Sequence, residues 1–343
     1  MRIAINGFGR IGKLFFRSLL ERNPDNIEII AINDAGSLET NFHLLNYDST
    51  HGKFLFKLSK NKNSIKYKNK NINFYSERNP KKLPWMKLNI DVVIECTGKF
   101  TSKEKSQLHL DAGAKKVLIS APGKNADATI VQGVNNHTLK KSHKIISNGS
   151  CTTNCLAPVA MILDKNFGIH SGFMTTVHSF TGDQNTVDQN HSDLRRARGA
   201  FNSLIPTSTG AAKALSLVLP QLKGRLDGTS IRVPSSNVSL IDFTFVSKIK
   251  TTKEMINKTM IKASKTKALN GILDVNNLPL VSIDFNHNSN SSIFDLTQTQ
   301  VVKDKFCRIL SWYDNEWGFS NRIIDTILDL KKLFKWNQKN IVL

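Results

Sequence analysis

The chain has 343 residues, with 48 Lys and Arg against 27 Asp and Glu and a formal charge of +21. Hydrophobic residues make up 40% and charged residues 22%, with 9 Pro and 19 Gly, enough apolar material for packed cores and too little low-complexity character for a disordered or fibrous chain. No apolar run approaches the roughly 20 residues that span a bilayer, so membrane insertion is not expected, and at about 100–200 residues per domain the length predicts two domains.

The elements read in chain order as follows. Ile3-Ala4-Ile5 is a short apolar strand that meets Gly7-Phe8-Gly9-Arg10-Ile11-Gly12, and Ile11, Leu14, Phe15, Leu19 and Leu20 then recur at helical spacing. A second apolar run, 27–32, ends in Asn33-Asp34, and further short runs follow at 91–96, 116–120, 129–134 and 144–147. Runs spaced in this way predict a mostly parallel sheet with crossovers. Between them Phe54/Phe56/Leu58, Ile65/Tyr67 and Ile72/Phe74 alternate with polar residues, as half-buried antiparallel strands do. After residue 150 the pattern changes to helical stretches at 156–163, 209–219 and 255–263, interleaved with alternating strands at 173–177, 238–246, 280–285 and 306–313. The expected fold is therefore an α/β Rossmann dinucleotide-binding domain, 1–149, followed by an α+β catalytic domain, 150–314, with a mostly antiparallel sheet. A C-terminal piece, 315–343, with a helix over 323–334, is expected to pack back on the first domain.

The N-terminus has no apolar segment before a small-residue cleavage site, and the four cysteines, Cys96, Cys151, Cys155 and Cys307, are too few and scattered for a disulfide framework. A reducing, cytoplasmic setting is expected. The basic excess is dominated by Lys, and its densest stretch, 59–73, interleaves Lys with Asn, Ile65, Tyr67 and Ile72. That pattern reads as a solvated surface, so nucleic acid is not the expected partner.

Three glycines alone carry little information, but here they lie between a strand and a helix, with the acidic Asp34 ending the next strand about 20 residues on. Gly7 permits the tight turn, Gly9 the close approach to a pyrophosphate and Gly12 the helix–sheet packing, while the helix N-terminus offers free N–H groups to the anion. Asp34 suits a ribose 2′-hydroxyl and repels a 2′-phosphate, which favours NAD. Farther on, Ser150-Cys151-Thr152-Thr153-Asn154-Cys155 opens an apolar helix. A thiol at a helix start is stabilised as thiolate, so Cys151 is the candidate nucleophile, and Cys155, one turn deeper, the inert one. No second Cys/His pair at zinc spacing accompanies them, so no metal is expected. His178, at the end of an alternating strand, is the candidate proton partner, although eight other histidines compete on sequence alone.

The chain resembles the phosphorylating glyceraldehyde-3-phosphate dehydrogenases of the bacterial type nearly end to end. Its most specific blocks are Ile5–Gly12, Ser147-Asn148-Gly149-Ser150-Cys151-Thr152-Thr153-Asn154-Cys155, Asp193-Leu194-Arg195-Arg196-Ala197-Arg198, Pro206-Thr207-Ser208-Thr209-Gly210, Arg232-Val233-Pro234 and Trp312-Tyr313-Asp314-Asn315-Glu316-Trp317-Gly318. The resemblance implies NAD-dependent oxidation of glyceraldehyde 3-phosphate coupled to uptake of inorganic phosphate, through a hemithioacetal and thioester on Cys151 with His178 as base. By similarity Thr181 and Arg232 take the substrate phosphate, and Ser150, Thr152, Thr209, Gly210 and Arg196 take the incoming one. The cofactor set by similarity is Gly7, Gly9, Arg10, Ile11, Gly12, Asp34, Glu77, Arg78, Thr97, Gly98, Phe100, Ser120 and Asn315, with Tyr313 near the nicotinamide. The family also implies a homotetramer. Many NAD-specific members carry Leu-Pro where this chain has Gln189-Asn190. Two polar residues there tolerate a 2′-phosphate, which keeps NADP as a secondary cofactor. The competing readings are an erythrose-4-phosphate dehydrogenase and a polyanion-binding role of the basic surface.

Overall fold

Ile3, Ala4 and Ile5 have no exposed surface, as expected of a strand at the centre of a parallel sheet covered on both faces. The computed structural model describes residues 1–334; positions 335–343, part of the expected C-terminal piece, lie outside the described residues. The chain divides into two units.

The first unit comprises Met1–Ile130, Asn136–Gly149 and the described chain from Ser320. In order it forms β1 (Arg2–Asn6), α1 (Arg10–Arg22), β2 (Glu28–Asn33), α2 (Leu38–Asn46), a short ladder of β3 (Tyr47–Asp48) and β4 (Gly52–Lys53), β5 (Leu58–Asn61), β6 (Ser64–Tyr67), β7 (Lys70–Tyr75), β8 (Val92–Glu95), α3 (Lys103–Asp111), β9 (Lys116–Ile119), β10 (Ala128–Thr129) and β11 (Ile145–Ser147). The sheet runs β10-β11-β9-β8-β1-β2-β7-β6-β5, parallel as far as β7, with β6 and β5 added antiparallel. This is the Rossmann-like order in which β1, at the middle, delivers its glycine turn to the carboxyl edge of the sheet.

The second unit, Val131–Asn135 with Ser150–Phe319, holds α4 (Cys151–Phe167), β12 (Ile169–Ser179), β13 (Ile205–Ser208), α5 (Ala211–Val218), β14 (Leu226–Val233), β15 (Ser239–Ser247), α6 (Lys253–Ser264), β16 (Leu273–Asn276), β17 (Ser292–Asp295), β18 (Gln300–Val302) and β19 (Phe306–Tyr313). Its sheet, β13-β14-β12-β15-β19-β17-β16 with β18 on β19, is mostly antiparallel; β12 with β14 and β16 with β17 are the parallel pairs. Leu156, Val159 and Leu163 of α4 pack with Met174, Phe243 and Ile309 of the sheet in one core. The last helix, α7 (Trp317–Phe334), starts six residues before the expected 323 because Asp314 accepts the N–H groups of Glu316 and Trp317. From Ser320 on it belongs to the first unit, where Asn321 and Asp325 accept from Arg22 at the end of α1. Residues 315–319 cluster instead with the second unit.

Three expected strands are shortened or absent. Phe54 and Phe56 lie outside any strand: Phe54 turns in against Phe16 and the Arg17 guanidinium, so their alternation marks a turn packing on α1. The 129–134 run leaves the sheet at Thr129, where a turn closed by Val131 N–H on the Asn135 carbonyl oxygen Oδ1 takes over. The 280–285 stretch is a 3₁₀ turn in which Phe285 stacks on Trp312 while Val281 and Ile283 stay exposed, so no partner strand covers that face.

Gly12 touches the glycine turn so closely that a Cβ would lie 2.2 Å from the Gly7 carbonyl oxygen. Gly12→Ala is expected to cost about 1–3 kcal/mol as α1 is pushed from the sheet, measured by urea unfolding.

Candidate active site

In the second unit, α4 begins where it does because Ser150 is its cap: extended in backbone, with Oγ accepting the Thr153 N–H at 3.0 Å. Cys151 thereby occupies the first helical position, facing unpaired N–H groups and the positive dipole end. Its Sγ lies 3.5 Å from Nε2 of His178, near the end of β12. The parallel pairing of β12 with β14 sets His178 beside Arg232. Arg232 Nη1 lies 2.8 Å from His178 Nδ1 and donates to the Ser179 carbonyl at 3.2 Å, and that carbonyl is 2.7 Å from Nδ1. In the tautomer that donates Nδ1–H to Ser179, Nε2 turns a lone pair toward the thiol.

Burial, and then the Arg232 charge, lower His178 to about 3. Burial pushes the Cys151 thiol up, while Arg232 and the hydrogen bonds of Thr152 pull it back. The resting couple is therefore a neutral imidazole and a thiol. Arg232 has no carboxylate partner among the described residues, and its buried Nε has no hydrogen-bond partner there. An orphaned buried donor is costly until an anion satisfies it.

The other predicted anion ligands are placed differently. Arg196 is already engaged, with Nη1 on Asp183 at 2.5 Å, Nε on Thr207 Oγ1 at 2.8 Å and Nη2 on the Ser208 carbonyl at 3.2 Å. Both Arg196 and Asp183 act on Arg232 through their charges. Thr181 donates its N–H to Gln184 Oε1, and Thr209 Oγ1 accepts the Ala211 N–H at the start of α5, whose cap, Gly210, brings no side chain. Among the described residues no hydrogen bond ties Thr181, Thr209 or Gly210 to the Cys151–His178–Arg232 group. Thr152 Oγ1 lies 2.8 Å from the hydroxyl of Tyr313, which also reaches Thr176 Oγ1 at 2.9 Å. Asn315 Oδ1 accepts from Ser179 Oγ at 2.9 Å and Ser239 Oγ at 2.8 Å, which orients its NH₂ as the remaining donor. Cys155 is fully buried, against Ser292, and pushed up to about 12, in keeping with an inert thiol.

In the first unit, Gly7, Gly9, Asp34, Arg78, Thr97 and Phe100 share a cavity of about 420 Å³ with Asn6, Asn33 and Glu77. Gly7 has φ +90°, and a Cβ there would meet the Thr97 nitrogen at 2.6 Å, whereas nothing lies within 4 Å of a Cβ on Gly9. Only the first position requires glycine for its turn, and the second leaves the backbone open to a ligand. Asp34 accepts the Phe8 N–H at 2.7 Å on one oxygen, and the Gly36 N–H and Asn41 amide on the other. Arg10 does not aim its guanidinium at this cavity's floor but forks onto Asp48, which leaves the backbone around Arg10 and Ile11 as the anion-facing part. Ser120 is not in the cavity's lining and donates to the Glu95 carbonyl. Asp48 and Asp183, the carboxylates that hold two of the expected arginines, were missed; they stand 38 and 13 residues from the arginines they hold.

No group of three or more His, Cys, Asp or Glu is arranged to hold a metal among the described residues. No helix among them is long and apolar enough to cross a membrane.

Replacing Arg232 by Gln removes the charge that favours the thiolate, so the pH profile of Cys151 alkylation by iodoacetamide is expected to move to higher pH, with Arg232→Lys moving less. His178 is depressed from 6.5 to about 3, so the unfolded chain binds the extra proton between those values and stability falls as pH drops through that window. His178→Gln is expected to remove this component, read as the difference between wild-type and variant urea-unfolding free energies from pH 7 to 3.

Comparison with known proteins agrees with this geometry. A family profile described as the glyceraldehyde 3-phosphate dehydrogenase NAD binding domain matches residues 1–103, and one described as the C-terminal domain of the same enzyme matches residues 150–315. The chain is 54% identical over 333 residues to a glyceraldehyde-3-phosphate dehydrogenase of Xanthobacter flavus, covering 97% of this chain and 99% of that one. It is 53% identical over 333 residues to that of Cereibacter sphaeroides, with the same coverage, and 50% identical over 328 residues to glyceraldehyde-3-phosphate dehydrogenase 2 of Bacillus subtilis, covering 95% and 96%.

Proposed function

The chain belongs to the glyceraldehyde-3-phosphate dehydrogenase family, and from that premise we propose that it oxidises D-glyceraldehyde 3-phosphate with NAD and inorganic phosphate to 1,3-bisphosphoglycerate, as a step of glycolysis and its reverse. The observation that carries this reading is the thiol at a helix start, 3.5 Å from a neutral imidazole that adjoins a buried cation without a carboxylate partner among the described residues.

The Cys151 thiol gives its proton to His178 Nε2 as sulfur attacks the aldehyde carbon, forming a hemithioacetal. The Cys151 backbone N–H and the His178 imidazolium hold the developing oxyanion. His178 gives that proton to the oxyanion, completing the hemithioacetal hydroxyl, and as the regenerated neutral imidazole takes it back while the C–H hydride departs, leaving a thioester. Bound NAD supplies the hydride acceptor, and the residues present fit it: the open backbone at Gly9, the uncapped start of α1 and the free lone pair of Asp34 suit a pyrophosphate and a ribose. Attack of phosphate on the thioester carbon releases the acyl phosphate and returns sulfur as thiolate. Arg232 with Thr181 takes the substrate phosphate, and Ser150, Thr152, Thr209, Gly210 and Arg196 the incoming one, Arg196 exchanging Asp183 for the anion. When an anion meets Arg232, the charge that depresses His178 is offset, so substrate binding itself strengthens the base. Asn315 donates its oriented NH₂ to the cofactor carboxamide. Oxidation of erythrose 4-phosphate and polyanion binding are not favoured, since the relatives compared above are named glyceraldehyde-3-phosphate dehydrogenase.

We also assign the chain to a homotetramer in the cytoplasm. Val187, Leu194, Phe201 and Leu204 stand exposed along one segment, a concentration of apolar surface that a second copy would cover. The four cysteines are free thiols, as a reducing compartment keeps them. Secondary use of NADP rests on the exposed Gln189-Asn190.

NADH formation from glyceraldehyde 3-phosphate is expected to require inorganic phosphate and to fall by at least about three orders of magnitude in Cys151→Ser. Turnover independent of phosphate, or faster with erythrose 4-phosphate, would refute the assignment. A parallel NADP series measures the cofactor preference, and light scattering measures the assembly.

A further inference from the structure

Beneath the cavity of the first unit lies a carboxylate that the chemistry above does not use. Glu95, the last residue of β8, is 1% exposed and accepts four hydrogen bonds. Oε1 takes the Thr97 N–H at 2.7 Å and the Thr97 hydroxyl; Oε2 takes the Asn6 amide at 2.6 Å and Nε2 of His109 at 3.1 Å. His109, on α3, has no exposed surface. Its tautomer is set from the opposite side, because the indole Nε1 of Trp85 can only donate and lies 3.0 Å from Nδ1. Nδ1 is therefore the acceptor, Nε2 carries the proton, and Trp85, His109 and Glu95 form a chain with one donor direction ending on a buried anion.

A buried carboxylate is a poor stabiliser compared with apolar packing of the same volume, so its value lies in what its donors are made to do. Those donors come from the borders of the cavity. Asn6 immediately precedes the Gly7 turn; Thr97 is the residue against which Gly7 has no room for a Cβ. Asn6 Oδ1 accepts in turn from Asn33 at the end of β2, at 2.7 Å, and Asn33 exchanges two hydrogen bonds of 2.9 Å with the backbone of Glu77. From one carboxylate, hydrogen bonds thus run to the ends of β1, β2 and β8 and to the segment after β7.

We propose that Glu95, held by His109 and Trp85, is a positioning residue for the dinucleotide: it fixes the separation of the Gly7 turn and the Thr97 loop, and so sets the affinity for NAD without touching substrate. This rests on the reading that the cavity takes NAD. Glu95→Gln keeps the shape but turns one accepting oxygen into a donor facing donors. His109→Leu removes the donor and the acceptor at once, whereas His109→Gln retains an amide that can donate to Glu95.

The test titrates the full chain with NAD by calorimetry, follows the ¹⁵N-labelled indole N–H of Trp85 by NMR, and measures KM for each substrate. Glu95→Gln and His109→Leu are expected to raise the NAD dissociation constant about tenfold or more, the loss of a charge-assisted hydrogen bond. The loss should fall on KM for NAD rather than on KM for glyceraldehyde 3-phosphate, and His109→Gln should recover part of it. His109→Leu should also move the Trp85 indole proton upfield as its acceptor disappears. An NAD affinity within twofold of wild type in folded Glu95→Gln would overturn the proposal, as would an equal rise in both KM values, which marks a general loss of structure. Failure of the wild-type chain to bind NAD would instead remove the cofactor reading, and the proposal with it.

Discussion

The candidate site of the second unit is built round one guanidinium, without a carboxylate partner among the described residues, placed 2.8 Å from an imidazole. In a buried site of low effective dielectric, that charge acts on two groups with opposite results: it lowers the basicity of His178 and favours ionisation of Cys151. A carboxylate beside Arg232 would cancel both effects. Arg196 has such a partner in Asp183, so the two arginines differ in readiness for an anion although both stand in short basic motifs.

The arrangement follows from backbone constraints more than from side-chain choice. The parallel pairing of β12 with β14 puts His178 and Arg232 in register, and the Ser150 cap decides that the helix begins at Cys151 and not one residue later. A shift of one residue on either strand would send its side chain to the other face of the sheet. In the first unit the corresponding constraint is steric. Gly7 and Gly12 leave room for α1 to begin directly against β1, and the asparagines and Glu95 tie the neighbouring strand ends together.

Long or repeated patterns were read correctly from residues alone: the strand–glycine–helix start, the helix after Cys151, and the long strands β15 and β19. Short alternations were not. The 280–285 stretch has the period of a strand but no strand partner among the described residues, and Phe54 is directed into α1 by a turn, not a ladder. At the site, Cys151 was marked by its position before an apolar helix, whereas His178 could not be separated from eight other histidines by local sequence. His109, one of those eight, lies in a buried polar chain whose partners, Trp85 and Glu95, are 24 and 14 residues away.

The sequence by itself determined the class of both units and the strand–glycine–helix turn, and it marked Cys151 as the candidate nucleophile, because each is written in contiguous residues whose physics is local: glycine freedom, helix capping and the dipole at a helix start. Only the tertiary structure decided which histidine meets the thiol, which arginine stays without a carboxylate, and which buried acid braces the cofactor cavity. Those outcomes depend on strand register and on burial, which bring distant residues within hydrogen-bond reach and set the dielectric around them, and neither quantity is carried by any short stretch of chain.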